Sequence, residues 1–188
     1  MTDNKAEIFP VTDADGRILG KITRGEAHSG TRVLHPVVHL HVMNSQGEIY
    51  LQQRPLWKDI QPGKWDTAVG GHIDYSECLD SNGNQKAELG DSVLTALRRE
   101  VREELGITDF QPIAMGHYVF EGARERELVY VHRTVYDEPI SPSKEELADG
   151  KFWTKQEILS NADNDIFTPN FLDEFREFFG TCPELSGN

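Results

Sequence analysis

The run Arg99-Glu100-Val101-Arg102-Glu103-Glu104-Leu105-Gly106-Ile107 sets five charges among a few apolar anchors. Wound as an α-helix, it projects Glu100, Glu103 and Glu104 (i, i+3, i+4) from one face. Leu94, Leu97, Val101 and Leu105 project from another face and would anchor the helix to a core. Asp91 or Ser92 can cap its start and Gly106 can stop it, so the helix is expected from about Asp91 to Leu105. Three like charges on one face repel by roughly a few tenths of a kcal/mol per pair. A hard cation removes that cost, and Mg²⁺ prefers oxygen ligands shared between protein and phosphate. Taken alone, the pattern reads as a solvated acidic helix face, and what surrounds it decides.

Working outward, residues 7–20 read as a strand, an Asp-Gly turn and a second strand, hence a hairpin. Residues 35–54 repeat that pattern around the turn Asn44-Ser45-Gln46-Gly47, with Val38, Leu40 and Val42 alternating against His39, His41 and Met43, so one face should be core. The stretch 55–71 is rich in Pro, Gly and Trp and should be a loop leading into a short strand from Trp65 to Val69. Residues 76–90 look like a surface excursion; strands are expected at 111–120 and 127–136. Phe152 and Trp153 open a region with a helical turn at Gln156–Leu159. A last amphipathic helix, Pro169 to Phe179, places Phe171, Leu172, Phe175 and Phe178 at core spacing. Strands and helices alternate without the rhythm of a doubly wound fold, so the class is α+β with a mixed sheet between helices.

Composition bounds the function. With 188 residues, 37% hydrophobic and 9% aromatic, the chain suits one globular domain rather than disorder. No apolar run approaches the roughly 18 residues of a membrane span. The start Met1-Thr2-Asp3-Asn4-Lys5 lacks the features of a signal peptide, and a cytoplasmic location is the expectation. Cys78 and Cys182 make no disulfide framework and read as reduced thiols. A net charge of −13 repels a phosphate backbone, so no large nucleic acid is expected as partner. A small phosphorylated ligand is allowed, because a metal and a few basic side chains can meet its charge locally. The sequence leaves a homodimer open.

Just upstream lie Gly70-Gly71-His72-Ile73-Asp74, and with them the chain resembles the Nudix family, whose signature is G-x5-E-x7-R-E-U-x-E-E-x-G-U with U apolar. Arg99 to Ile107 matches every fixed position of the second half. The first half departs. Read from Gly71, five residues lead to Glu77, but seven more lead to Gln85 rather than Arg. Read back from Arg99, seven residues lead to Asp91; removing 14 residues, Ser76 to Leu89, restores that spacing. The first acidic position is therefore either Asp91 or Glu77. The resemblance implies a single domain, an α/β/α sandwich, with residues 1–30 as an N-terminal hairpin extension and 76–89 as an insert. It implies hydrolysis of a small diphosphate-containing substrate, with Glu100, Glu103 and Glu104 holding Mg²⁺ or Mn²⁺. Glu100 would ligate or act as base, and Arg99 would orient the carboxylates. Gly71 and Arg54 are candidate substrate contacts, with Lys58 and Lys64 weaker ones.

A closer resemblance covers residues 7 to 158 and points to type I isopentenyl-diphosphate isomerase, a Nudix-fold relative. It rests on His28 and His35 seven apart, Gln61-Pro62-Gly63-Lys64-Trp65-Asp66, His72, and Glu125-Arg126-Glu127. The resemblance implies a second metal site formed by His28, His35, His72, Glu125 and Glu127, and imidazoles suit Zn²⁺ or Mn²⁺. The isomerase's catalytic cysteine falls on Gly70, which has no titrating group. Hydrolysis is thus the first expectation; an isomerase-like enzyme or a non-catalytic binding module are the alternatives. His39 and His41 have no counterpart in the resemblance and are expected to pack, as are Trp65 and Tyr118.

Overall fold

Strand β3 is the spine of the fold. The computed structural model describes residues 4–58 and 60–180. In chain order it contains β1 (Ile8–Thr12), β2 (Ile18–Thr23), a short helix α1 (Arg24–Glu26), β3 (Leu34–Met43), β4 (Ile49–Gln53), β5 (Trp65–Asp66) and β6 (Val69–His72). There follow α2 (Ser92–Leu105), β7 (Ile113–Glu121), β8 (Arg126–Val135), β9 (Asp149–Trp153), α3 (Lys155–Asn161) and α4 (Pro169–Glu174). β8 runs parallel to β3 along its whole length, from Leu34↔Arg126 to Met43↔Val135. On the other side β3 meets β6 (Val37↔His72 to Leu40↔Val69) and then β4, both antiparallel. The seven-stranded mixed sheet has the order β5-β4-β3-β8-β7, with β6 against β3 and β9 against β4.

Helices cover both faces, giving the expected α/β/α sandwich. Val38, Leu40, Val42 and Tyr50 point toward α2 and pack with Ala96, Leu97, Val101 and Leu105. Ile49 and Leu51 point the other way, toward Ile158, Phe167, Phe171, Phe175 and Phe179. Each large apolar side chain so buried contributes about 1.5–3 kcal/mol. α2 begins at Ser92 and stops at Gly106, whose φ of 70° is a left-handed cap that glycine adopts without strain.

Several expectations are corrected. Only one face of 35–43 was expected in the core, yet Leu34 through Val42 are all buried, because the strand is central and covered on both sides. The Trp65–Val69 strand is two pieces, broken where the Asp66 carboxylate turns to accept from Thr67 N. Leu94 is 42% exposed; the first turn of α2 meets the Tyr75–Cys78 turn, and Val93 fills the core there. At the C-terminal end the winding loosens to a π-turn over Phe175–Phe179, which carries Phe179 rather than Phe178 into the core. The hairpin β1–β2 lies against β3 and carries Phe9 onto the His72 ring, so it forms a wall of the site. The excursion after Cys78 ties back to that hairpin through Ala87 O and Gly16 O. Burial pushes the Cys78 thiol up to about 11, keeping it a thiol; Cys182 lies outside the described residues.

Candidate active site

The Nudix-like loop and helix are locked together by one guanidinium. Arg99 Nε and Nη2 donate to the two oxygens of Glu77 (2.9 and 3.3 Å). Its Nη1 donates to Glu100 Oε1 (2.7 Å) and reaches Glu103 Oε2 at 3.4 Å, while Nη2 also donates to the His72 carbonyl (2.9 Å). Glu77 is delivered by the Tyr75–Cys78 turn, where Asp74 and Glu77 cap each other reciprocally. Burial opposes the Arg99 charge, but Glu77 and Glu100 outweigh it and hold the guanidinium fully protonated. Asp91 is on the surface, paired with Lys86. Of the two candidates for the first acidic position, Glu77 is therefore the one in contact with Arg99. Counting along the chain could not make that distinction.

Glu100, Glu103 and Glu104 all line a cavity of about 830 Å³, together with Gln52, Arg54, Lys58, Asp66, Gly70, Gly71, His72, Glu125 and Glu127. Glu104 is the deepest of the three; burial raises its pKa well above the usual carboxylate range, and Glu100 adds to the effect. Glu100 is raised by burial against the pull of Arg99. Gly71 has a steric reason to be glycine: a Cβ there would stand 2.1 Å from the Glu100 carboxyl carbon. Among the described residues, however, the three glutamates do not form a converged donor set. Glu100 and Glu103 turn to Arg99, and Glu104 accepts from Gln52 Nε2 at 3.3 Å.

The donor atoms that do converge, all within 4.8 Å of one another, belong to His28, His35, His72 and Glu127. His35 Nδ1 bonds the Val33 carbonyl at 3.0 Å, which leaves the lone pair on Nε2. That Nε2 is buried without a hydrogen-bond partner among the described residues. Nε2 atoms of His28 and His72 lie 3.2 Å apart, and Glu125 stands 3.7 Å from His28. Burial lowers the pKa of His35 and His72, keeping both rings neutral. Glu127 is pushed up to about 8 by burial and by Glu125. An orphaned imidazole nitrogen aimed into neutral imidazoles and carboxylates fits a transition metal.

Of the basic candidates, Arg54 is fixed at the cavity wall by Asp66 (3.1 Å) and the Ile60 carbonyl, and Lys58 also lines the cavity. Lys64 instead pairs with Asp165. Trp65 packs against Trp153, as expected. His41 is fully buried against Phe171 and Phe179, but His39 lines the cavity. Glu174 went unrecognised in the sequence. It is 1% exposed and accepts from His39 Nδ1 (2.6 Å), His41 Nε2 (2.7 Å) and the Tyr118 hydroxyl (2.7 Å). The available signal was a carboxylate three residues after Phe171 and four before Phe178, in register with the buried stripe.

A loop–helix glutamate cluster clamped by arginine thus stands beside a cavity of about 830 Å³ in an α/β/α sandwich. Residues 33–175 match the NUDIX domain family, and the chain belongs to that family. It is 28% identical over 177 residues to an uncharacterized Nudix hydrolase of Pseudomonas aeruginosa, covering 91% of this chain and 92% of that protein. It is 25% identical to an isopentenyl-diphosphate Delta-isomerase of Streptomyces avermitilis, covering 97% of this chain and 89% of that one. A crystal structure of a Deinococcus radiodurans protein superimposes with a TM-score of 0.67 at 19% identity, over 92% of this chain and 99% of that one. Its relatives thus include both Nudix hydrolases and prenyl-diphosphate isomerases. Among the described residues, no helix is long and apolar enough to cross a membrane.

Proposed function

We propose that this chain is a metal-dependent Nudix hydrolase that cleaves a diphosphate linkage in a small phosphorylated substrate by carboxylate-assisted attack of water. One observation carries the reading: Arg99 joins Glu77, Glu100 and Glu103 into one acidic wall of a cavity whose other walls hold Arg54 and Lys58. Glu100, Glu103 and Glu104 would hold Mg²⁺ or Mn²⁺, which neutralises charge on phosphoryl oxygens as water attacks. Arg99 holds Glu100 in place, and Gly71 leaves room for that carboxyl group. Arg54, braced by Asp66, offers its guanidinium to a phosphate. Glu100, at its position in the wall, either ligates that metal or accepts the proton from water.

The histidine cluster and the isomerase relatives favour a second reading, an isomerase-like enzyme with His28, His35, His72, Glu125 and Glu127 on a transition metal. Gly70 stands against it, since proton transfer at an allylic carbon needs a titrating group there. The test is a panel of nucleotide sugars, dinucleotide polyphosphates, coenzyme derivatives and prenyl diphosphates, assayed with Mg²⁺ or Mn²⁺. Release of phosphate or a monophosphate from one member, lost in Glu103→Gln and Glu104→Gln, is expected. Turnover at the wild-type rate by both variants would overturn the mechanism.

A further inference from the structure

His39 sits on the sheet face that carries His35, opposite Gly70 in the β3–β6 ladder. Its ring fills space that a side chain at position 70 would reach: a Cβ there would lie 3.6 Å from His39 Nε2. The other ring nitrogen is anchored by the Glu174 carboxylate at 2.6 Å. Glu174 itself is buried and takes two further bonds, from His41 and Tyr118. Taking a carboxylate and an imidazolium out of water is costly, and such a pair is weak evidence for a purely stabilising role. The two histidines on this carboxylate differ in what they face. His41 is 0% exposed, with Thr67 Oγ1 3.3 Å from its Nδ1. His39 Nε2 makes no hydrogen bond among the described residues, and its ring lines the cavity. Burial works against the His39 charge, but Glu174 outweighs it by charge and hydrogen bond and lifts the pKa to about 9. Asp66 and Glu127 add to the same field. At neutral pH the ring is therefore doubly protonated, and Nε2–H is a charged donor with no protein acceptor among the described residues. Such a donor is completed by an anionic oxygen.

We propose that His39, held by Glu174, is an oxyanion-binding residue that donates through Nε2 to a phosphoryl or carboxylate oxygen of the ligand in the cavity, over Gly70. This deepens the hydrolase reading by giving the substrate's anionic groups a second, cationic anchor on the opposite side of the sheet from α2. Its identity as a binding residue does not require turnover. Glu174 is its positioning residue.

The experiment titrates ¹⁵N-histidine-labelled protein with methylenediphosphonate and, separately, with malonate, each with Mg²⁺, following the His39 ring resonances and the calorimetric Kd. One of the two dianions should shift His39 Nε2, and its Kd should rise about tenfold to a hundredfold in His39→Gln. The diphosphonate arm responding alone assigns a phosphoryl oxygen; the malonate arm alone assigns a carboxylate; either supports the site. If neither dianion moves His39 in the wild-type chain, the proposal falls, whatever the variant's folding. It also falls if His39→Gln binds both as tightly as wild type. Should binding depend on His39 while no panel substrate is hydrolysed, the oxyanion site stands and the hydrolase reading fails. Hydrolysis with unchanged KM in His39→Gln gives the reverse.

Discussion

Gly71→Ala separates the chemistry of the glutamate wall from its stability. An added Cβ would stand 2.1 Å from the Glu100 carboxyl carbon, 2.3 Å from its Cγ and 2.5 Å from Oε1. Carbon–carbon contact begins near 3.5 Å, so the carboxyl group must retreat by more than about 1 Å. The obstacle is the flexible end of a side chain and Gly71 lies in a β-strand, so the backbone need not rebuild. The overpacking cost should stay within about 1–3 kcal/mol, a Tm drop of a few degrees. Displacing Glu100 breaks its 2.7 Å bond to Arg99 and moves a carboxylate proposed as metal ligand or base. A misplacement of about 1 Å costs on the order of a hundredfold in rate. The assay is phosphate release under saturating Mg²⁺ with the responsive panel substrate, run beside a thermal melt and Mn²⁺ binding by electron paramagnetic resonance. The account predicts kcat reduced about a hundredfold with the melt nearly preserved. Full activity in a folded Gly71→Ala protein would refute the placement of Glu100 at the centre of the chemistry.

Further outcomes follow from the same contacts. Arg99→Gln strands Glu77 and Glu100 without their counter-charge and should lower stability by about 2–3 kcal/mol in urea denaturation, the partial exposure of Arg99 keeping it below the cost of a fully buried pair; a loss near zero would show that the clamp is ornamental. The His39–Glu174 pair makes stability depend on pH in a definite direction. The His39 pKa is raised from 6.5 to about 9, so its contribution is full below 6.5 and is lost as pH rises through 9. Glu174 is held below its ordinary value of 4.5 despite its burial, by the His39 charge and the bonds from His39 and His41, so its contribution is lost only on acidification below 4.5. The unfolding free energy should therefore decline between pH 6.5 and 9, by on the order of 3 kcal/mol at most, and Glu174→Gln should flatten that limb. An identical decline in the variant would assign it elsewhere. His35→Ala removes the orphaned Nε2 and should abolish stoichiometric Zn²⁺ or Mn²⁺ measured by elemental analysis; metal retained at wild-type stoichiometry would eliminate the second site.

The parts of this molecule that were legible in the sequence are those fixed by local periodicity. α2 has a 3.6-residue stripe and a glycine stop, and it runs to Leu105 as read. β7 and β8 begin and end within a few residues of expectation. What was not legible depends on placement in three dimensions. Alternation along β3 could not reveal that the strand is central, because its edge is covered by β8 and its second face by the Phe171–Phe179 layer. The same alternation puts His39 and His41 on one face but cannot tell that one opens to a cavity while the other lies under Phe179. Counting from either end of the interrupted signature gave two acids, and only the guanidinium of Arg99 distinguishes them. Glu174 sits 135 residues from the histidine it holds, too far for any local pattern to pair them.

In the proposed hydrolysis the glutamate wall directs water onto phosphorus. Turnover of the responsive panel substrate in H₂¹⁸O with Mg²⁺, read by ³¹P spectroscopy of the products, tests it most directly. One ¹⁸O is expected in a phosphoryl product per cleavage, with the signal gone in Glu103→Gln and Glu104→Gln. A rearranged prenyl diphosphate with no ¹⁸O and no released phosphate would contradict it.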